Sequence, residues 1–219
     1  MAWELLYGGT FDPVHAGHLA VARAAQAALG ADVAFLPAAD PPHRQAPGAS
    51  AAQRARMLEL AIAGEPHFTV DRRELHRDGP SWTVDTLRGL RAERGPAAPL
   101  AWLVGADAFR GLPDWHHWRE LFGLAHFVVA VRPGHGLDAL PDDLAQACAG
   151  RWTDRATDLA NEPAGRLLRL DMPLHPASAT ELRRRLRAGE PPGDWLAGPV
   201  ADFVRAQGLY RGGTGPAGV

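Results

Sequence analysis

The sequence contains no lysine; all 23 of its basic residues are arginine. Any anion the chain binds must therefore be met by arginine, histidine or backbone, and arginine brings a planar fork of donors where lysine brings a point charge. Isoleucine occurs once, at Ile62, while alanine is abundant, which reads as the coding bias of a GC-rich genome. The single cysteine, Cys148, cannot form an internal disulfide and excludes a disulfide-stapled scaffold. No apolar run reaches the length of about 18 residues that a membrane-spanning helix needs. Met1-Ala2-Trp3-Glu4 lacks the basic start and apolar core of a signal peptide. Charge of one sign is also missing: a net charge of -2 gives no global basic field for nucleic acid. The expectation is a soluble cytoplasmic protein with no nucleic-acid or membrane partner. Its 219 residues are enough for one α/β domain with a substantial core.

What is present alternates. Strand patterns at Ala2 to Tyr7, Val33 to Leu36, Phe68 to Val70, Leu100 to Val104, Phe127 to Val131 and Leu167 to Leu170 are separated by helical patterns. The helices are expected at Gly17 to Leu29, Ser50 to Ala63, Thr83 to Glu93, Asp114 to Phe122, Asp143 to Cys148, Ala179 to Arg187 and Pro199 to Gln207. The stretch from Gly134 to Pro163 is otherwise unassigned. This alternation predicts a Rossmann-like, doubly wound α/β fold: a mostly parallel sheet with helices on both faces. One domain is expected over residues 1–211, with a Gly-rich, disordered tail over 212–219. Ligands in such sheets bind beyond the carboxyl ends of the strands.

The chain is organised around Tyr7-Gly8-Gly9-Thr10-Phe11-Asp12-Pro13-Val14-His15-Ala16-Gly17-His18. It reads as a strand, a tight glycine turn, a loop and a helix N-terminus. Gly8 and Gly9 carry no Cβ, so a phosphate can approach the backbone N–H groups, and the helix start adds partial positive charge. His15 and His18 lie three apart, close to one face of the first turn. Two imidazoles beside a phosphate cradle are hydrogen-bonding or proton-donating candidates, although a surface pair, a core pair or a zinc pair has the same spacing. The stretch is neither a Walker A loop, whose terminal Gly-Lys-Ser/Thr is missing, nor the dinucleotide fingerprint.

Further stretches carry polar groups at strand or helix ends. Pro41-Pro42-His43-Arg44 is a proline-stiffened loop that reads as a surface turn or as an arginine reaching a phosphate. Gly79 to Leu87 is a turn and helix start where Ser81 or Thr83 can cap. Leu103-Val104-Gly105-Ala106-Asp107 leaves a strand with a carboxylate suited to ribose hydroxyls or to an N-cap. Trp115 and Trp118 stand at i and i+3, a spacing usual for core. Arg132 closes a buried strand. Ser178 and Glu181 form a capping box, with Arg183 in the second turn.

His15-Ala16-Gly17-His18 resembles the signature of the HxGH nucleotidyltransferase superfamily. The longer Gly8 to His15 spelling is similar to its nicotinate-nucleotide adenylyltransferase branch. The likeness extends through Pro41 to Arg44, Ser81 to Leu87, Gly105 to Trp118, Arg132-Pro133-Gly134 and Ser178 to Arg183, nearly the whole chain. Ala177 and Leu182 stand where that family commonly has Ile, and Trp82 where Tyr is also common. The resemblance implies transfer of AMP from ATP to nicotinate mononucleotide, giving deamido-NAD and pyrophosphate. It implies His15 and His18 as catalytic groups. ATP would meet Gly8, Gly9, Thr10, Phe11, His18, Gly105, Asp107, Ser178, Thr180 and Arg183. Nicotinate mononucleotide would meet Arg44, Thr83, Trp115, His116 and Arg132, with Trp115 stacking on the pyridine ring and Trp118 in the core. Mg²⁺ would be held mainly through ATP phosphates, with no protein metal ligand. A homo-oligomer is possible. Another HxGH enzyme, such as phosphopantetheine adenylyltransferase, and a nucleotide-binding domain without catalysis are the alternatives.

Overall fold

The computed structural model describes residues 3–39, 48–77, 79–134, 136–137, 139–173 and 175–211. Its strands are β1 (Glu4–Gly9), β2 (Asp32–Pro37), β3 (Phe68–Val70), β4 (Leu100–Gly105), β5 (His126–Val131), β6 (Trp152–Thr153) and β7 (Leu167–Asp171). They form one sheet in the order β3-β2-β1-β4-β5-β7-β6, and every adjacent pair is parallel. The helices are α1 (Ala16–Leu29), α2 (Ala51–Ala61), α3 (Thr83–Arg94), α4 (Ala106–Arg110), α5 (Leu121–Leu124), α6 (Asp142–Cys148), α7 (Ala156–Asn161), α8 (Ala179–Arg187) and α9 (Gly198–Ala206). None among the described residues is long and apolar enough to cross a membrane.

Side chains of a strand alternate between faces, and here each face has its own core. Leu5, Val33, Phe35, Leu103 and Val128 meet Leu19 of α1, Met57 and Leu58 of α2, Leu182 of α8 and Val200 of α9. Leu6, Leu36, Trp102, Phe127 and Val129 meet Leu87 and Leu90 of α3, Phe109 of α4, Phe122 of α5 and Leu144 of α6. The chain reverses direction of winding between β1 and β4, neighbours in the sheet. A crevice opens at such a switch point.

Three local expectations change. The segment Asp114 to Phe122 is not one helix but two 3₁₀ turns, Leu112–Asp114 and Trp118–Glu120, before the short α5. His117 breaks it by taking a left-handed backbone conformation, φ 50°. The unassigned Gly134 to Pro163 stretch holds β6 and α7 as well as the expected α6. Ser178 Oγ accepts the Glu181 amide at 3.2 Å, but the Glu181 carboxylate turns to Arg184 and Arg185 instead of closing a capping box. Residues 212–219 lie outside the described residues.

Candidate active site

The motif folds differently from a glycine turn. Gly8 and Gly9 are strand residues, in register with Leu36 and Pro37 of β2. A Cβ on Gly8 would lie 2.1 Å from the Trp102 ring, and one on Gly9 would lie 3.0 Å from the Phe11 ring. Gly8 is thus required by aromatic packing beneath the strand end, and Gly9 sits tightly against the same packing. The turn itself is made by Phe11, at φ 50°, and by a cis Asp12–Pro13 bond. Phe11 is buried, with its ring 5.4 Å from Tyr7 and 5.1 Å from His18.

Two buried charged residues fix this loop. The Asp12 carboxylate accepts the Gly48 amide at 2.8 Å, the Ala49 amide at 3.1 Å and the Tyr210 hydroxyl at 2.6 Å. It ties the motif to the start of α2 and to the end of the chain. Arg54 is fully buried and donates to the carbonyls of Thr10 at 2.6 Å, Ala38 at 2.6 Å and Ala39 at 3.0 Å. It gathers the ends of β1 and β2 onto α2. A buried cation needs such a full set of acceptors.

His15 is the N-cap of α1, and His18 Nδ1 accepts its backbone N–H at 3.3 Å. The two rings stack with centroids 3.8 Å apart. Gly17 makes room: a Cβ there would come within 3.0 Å of the His15 ring and 3.2 Å of the Ala177 carbonyl. The residue between the histidines thus lets the chain before α8 approach α1. His15 Nδ1 is buried with no hydrogen-bond partner among the described residues.

Burial first, then the electrostatic influence of His175 and Arg132, lowers the His15 pKa to about 4. The imidazole is therefore neutral in the free protein at pH 7. In the unfolded chain it titrates near the ordinary value of about 6.5. Between those values the unfolded state binds the proton and the folded state does not, so stability falls as pH drops through that window. From pH 7.5 to 5 this group should remove roughly 2 kcal/mol. Urea melts at both pH values should show His15→Gln losing that much less than wild type. Equal losses would mean that His15 does not titrate as a buried neutral group.

Two cavities adjoin at the carboxyl ends of β1 and β4, one on each face of the sheet. The first, about 330 Å³, is lined by Gly8, Gly9, Thr10, Glu74, Trp82, Thr83, Trp102, Trp115 and His116, among others. The second, about 310 Å³, is lined by His15, Gly17, His18, Asp107, Arg132, His175 and Ser178, among others. Tyr7 and Gly105 line both. The two therefore adjoin at the ends of β1 and β4, the switch point.

The first cavity has the character of an aromatic slot. Trp82 stacks on His116 at 4.8 Å, Trp115 is partly exposed to the slot, and Trp118 is in the core. Ser81 does not cap α3; its Oγ accepts the Ala39 amide at 3.1 Å, and Trp82 occupies the N-cap position. Among the described residues neither the Thr83 nor the His116 amide donates a hydrogen bond. Glu74 is buried at the edge of this slot, takes the Thr86 hydroxyl at 2.7 Å, and has its pKa raised by burial.

The second cavity is basic and imidazole-rich. Asp107 sits in the first turn of α4, paired with Arg110 and, at 3.4 Å, with Arg132. His175 Nδ1 accepts the Ala177 amide at 3.1 Å. Arg183 donates to the Asp12 carbonyl at 2.6 Å and to Thr180 Oγ1 at 3.4 Å, which brings α8 against the motif loop. Arg132, grouped with the mononucleotide residues on sequence, lines this second cavity and not the aromatic slot. Arg44 lies outside the described residues.

Residues 6–185 match the cytidylyltransferase-like family. A probable nicotinate-nucleotide adenylyltransferase of Stenotrophomonas maltophilia is 56% identical over 98% of this chain and 99% of its own length. The chain belongs to the nicotinate-nucleotide adenylyltransferase family. A relative with the same description from Xylella fastidiosa is 46% identical over 94% of this chain and 96% of its own. Among solved structures, the nicotinic acid mononucleotide adenylyltransferase of Plasmodium falciparum, in its complex with NaAD, has a TM-score of 0.72. It is 15% identical, covers 96% of this chain and 98% of its own, and so shares the fold. For a member of this adenylyltransferase family, five residues went unassigned on sequence. Asp12 and Arg54 set the motif loop, and Trp102, Glu74 and His175 line or border the cavities. Asp12 and His175 carried a signal, their places inside the opening motif and at the head of the stretch that runs to Arg183; a buried arginine on an amphipathic helix looks like any surface arginine.

Proposed function

We propose that the protein transfers the adenylyl group of ATP to the 5′-phosphate of nicotinate mononucleotide, releasing pyrophosphate and deamido-NAD. The observation that carries this reading is the meeting of an aromatic slot and an imidazole- and arginine-lined cavity at Tyr7 and Gly105. One suits a flat pyridine, the other a triphosphate. The family relatives of near-equal length support the same reaction.

In the reaction an oxygen of the 5′-phosphate attacks the α-phosphorus of ATP. A P–O bond forms, the bond to the β-phosphate bridge oxygen breaks, and its electron pair leaves with pyrophosphate. The attacking phosphate is largely dianionic at pH 7, its second pKa being about 6, so no strong general base is needed. Catalysis falls to alignment and to charge stabilisation on the transferring group. His18 and His15 supply ring N–H donors to the α-phosphoryl and the adjoining phosphates. Ser178, Thr180 and Arg183 receive the outer phosphates at the start of α8. Asp107 faces the adenosine ribose. Thr83, Trp115 and His116 hold the nicotinate ring.

The carboxylates of the motif loop and the second cavity already have partners: Asp12 accepts two amides and a hydroxyl, and Asp107 pairs with two arginines. Among the described residues no cluster could hold a metal ion. Mg²⁺ would therefore be carried by triphosphate oxygens and would supply charge neutralisation there. Pyrophosphate release from ATP tests the reaction. It should require nicotinate mononucleotide and match deamido-NAD formed one for one. Release with phosphopantetheine instead would assign the other branch, and release with neither acceptor, or none at all, would contradict transfer.

A further inference from the structure

Tyr7 lines both cavities, and its side chain lies on the face of the histidine-lined one, packed with Phe11, Phe35 and His18. It stands near the end of β1, opposite Phe35 of β2 and Leu103 of β4. Its ring is wedged by Phe11 at 5.4 Å, Phe35 at 5.5 Å and His18 at 6.3 Å. All these contacts are made by the ring, and phenylalanine would keep every one. The hydroxyl is left over. Among the described residues nothing hydrogen-bonds to it, yet its oxygen is not one of the sealed, unsatisfied atoms. Tyr7 stands where the cavities adjoin. The hydroxyl adds nothing to the ring packing that holds Tyr7 in place.

The chemistry at that junction supplies an acceptor. The attacking phosphate comes from one cavity and the α-phosphoryl from the other, so the reacting phosphorus must pass the two residues common to both, Tyr7 and Gly105. Burial keeps the phenol protonated by raising its pKa above the ordinary value, and Arg132, which lines the second cavity with Tyr7, puts a cation in the same cavity. The group is a donor throughout the physiological range.

We propose that the Tyr7 hydroxyl is a further catalytic group, donating a hydrogen bond to a non-bridging oxygen of the α-phosphoryl as it passes between the cavities. No proton is transferred; the bond strengthens as negative charge grows on that oxygen. The inference rests on the adenylyl-transfer reading.

Tyr7→Phe tests it with the packing left in place. The variant should keep the melting temperature of wild type and lower kcat by about 10- to 100-fold, at or below the loss seen for one oxyanion donor. KM for ATP and for nicotinate mononucleotide should move less than about threefold, as expected for an interaction made mainly in the transition state. A kcat within twofold of wild type would overturn the role. A readout independent of turnover is the ³¹P resonance of the α-phosphorus of bound ATP, which should shift between wild type and Tyr7→Phe; coincident resonances would also overturn it. Wild type that binds ATP yet forms no dinucleotide would instead refute the proposed reaction, and the resonance comparison would still decide whether Tyr7 contacts the phosphate.

Discussion

His18→Ala should lower kcat by about 10²–10³, the range for loss of one donor to a transferring group. The geometry says why the loss falls on chemistry. His18 lies in the first turn of α1, partly exposed, and lines the cavity beside Arg132 and Ser178. Its Nδ1 accepts the His15 amide, so the proton sits on Nε2, and that nitrogen is the donor. The stacked His15 ring and the Phe11 edge fix the plane of the imidazole. Alanine is a good helix former, and the site faces ligand, so the fold should survive the change. Steady-state kinetics alongside a thermal melt check both halves. Near-normal turnover would remove His18 from the mechanism.

The second large effect concerns the acceptor. Nicotinate and nicotinamide mononucleotides differ by one group, a carboxylate against a neutral amide. The Thr83 amide opens α3, and the His116 amide lies between two 3₁₀ turns; both border the aromatic slot. Two unpaired N–H donors suit a group that only accepts. An amide must present its own NH₂ to one of them, leaving donor against donor. An unsatisfied buried donor costs about 1–3 kcal/mol, and charge assistance widens the gap. With roughly 1.4 kcal/mol per decade, the nicotinate form should be preferred by at least about 10²-fold in kcat/KM. The stacking proposed for Trp115 would serve either ring, so Trp115→Ala should weaken both substrates by similar factors and leave their ratio mostly intact.

Much of this was legible because periodicity and end signals are local. The β1–loop–α1 unit, every strand but β6, and α8 follow from patterns within a few residues of each other. What was not legible depends on residues far apart in the chain. Gly8 and Gly9 read as a phosphate turn, yet the atoms that demand them belong to Trp102 and Phe11, and only the folded sheet brings Trp102 there. Arg54 looks like one more arginine on an amphipathic helix until the carbonyls of Thr10, Ala38 and Ala39 converge on it. Arg132 sits at a strand end, but which cavity a strand end faces is set by side-chain parity against neighbouring strands. The broken helix after Asp114 turns on His117, whose left-handed backbone has no marker such as glycine.

The most direct measurement is the initial rate of pyrophosphate release at fixed ATP, with nicotinate and nicotinamide mononucleotides titrated in parallel on the wild-type protein. Adenylyl transfer to a carboxylate-bearing acceptor in the aromatic slot predicts kcat/KM at least about 10²-fold higher for the nicotinate form. Equal values for the two acceptors, or a preference for the amide, would contradict it.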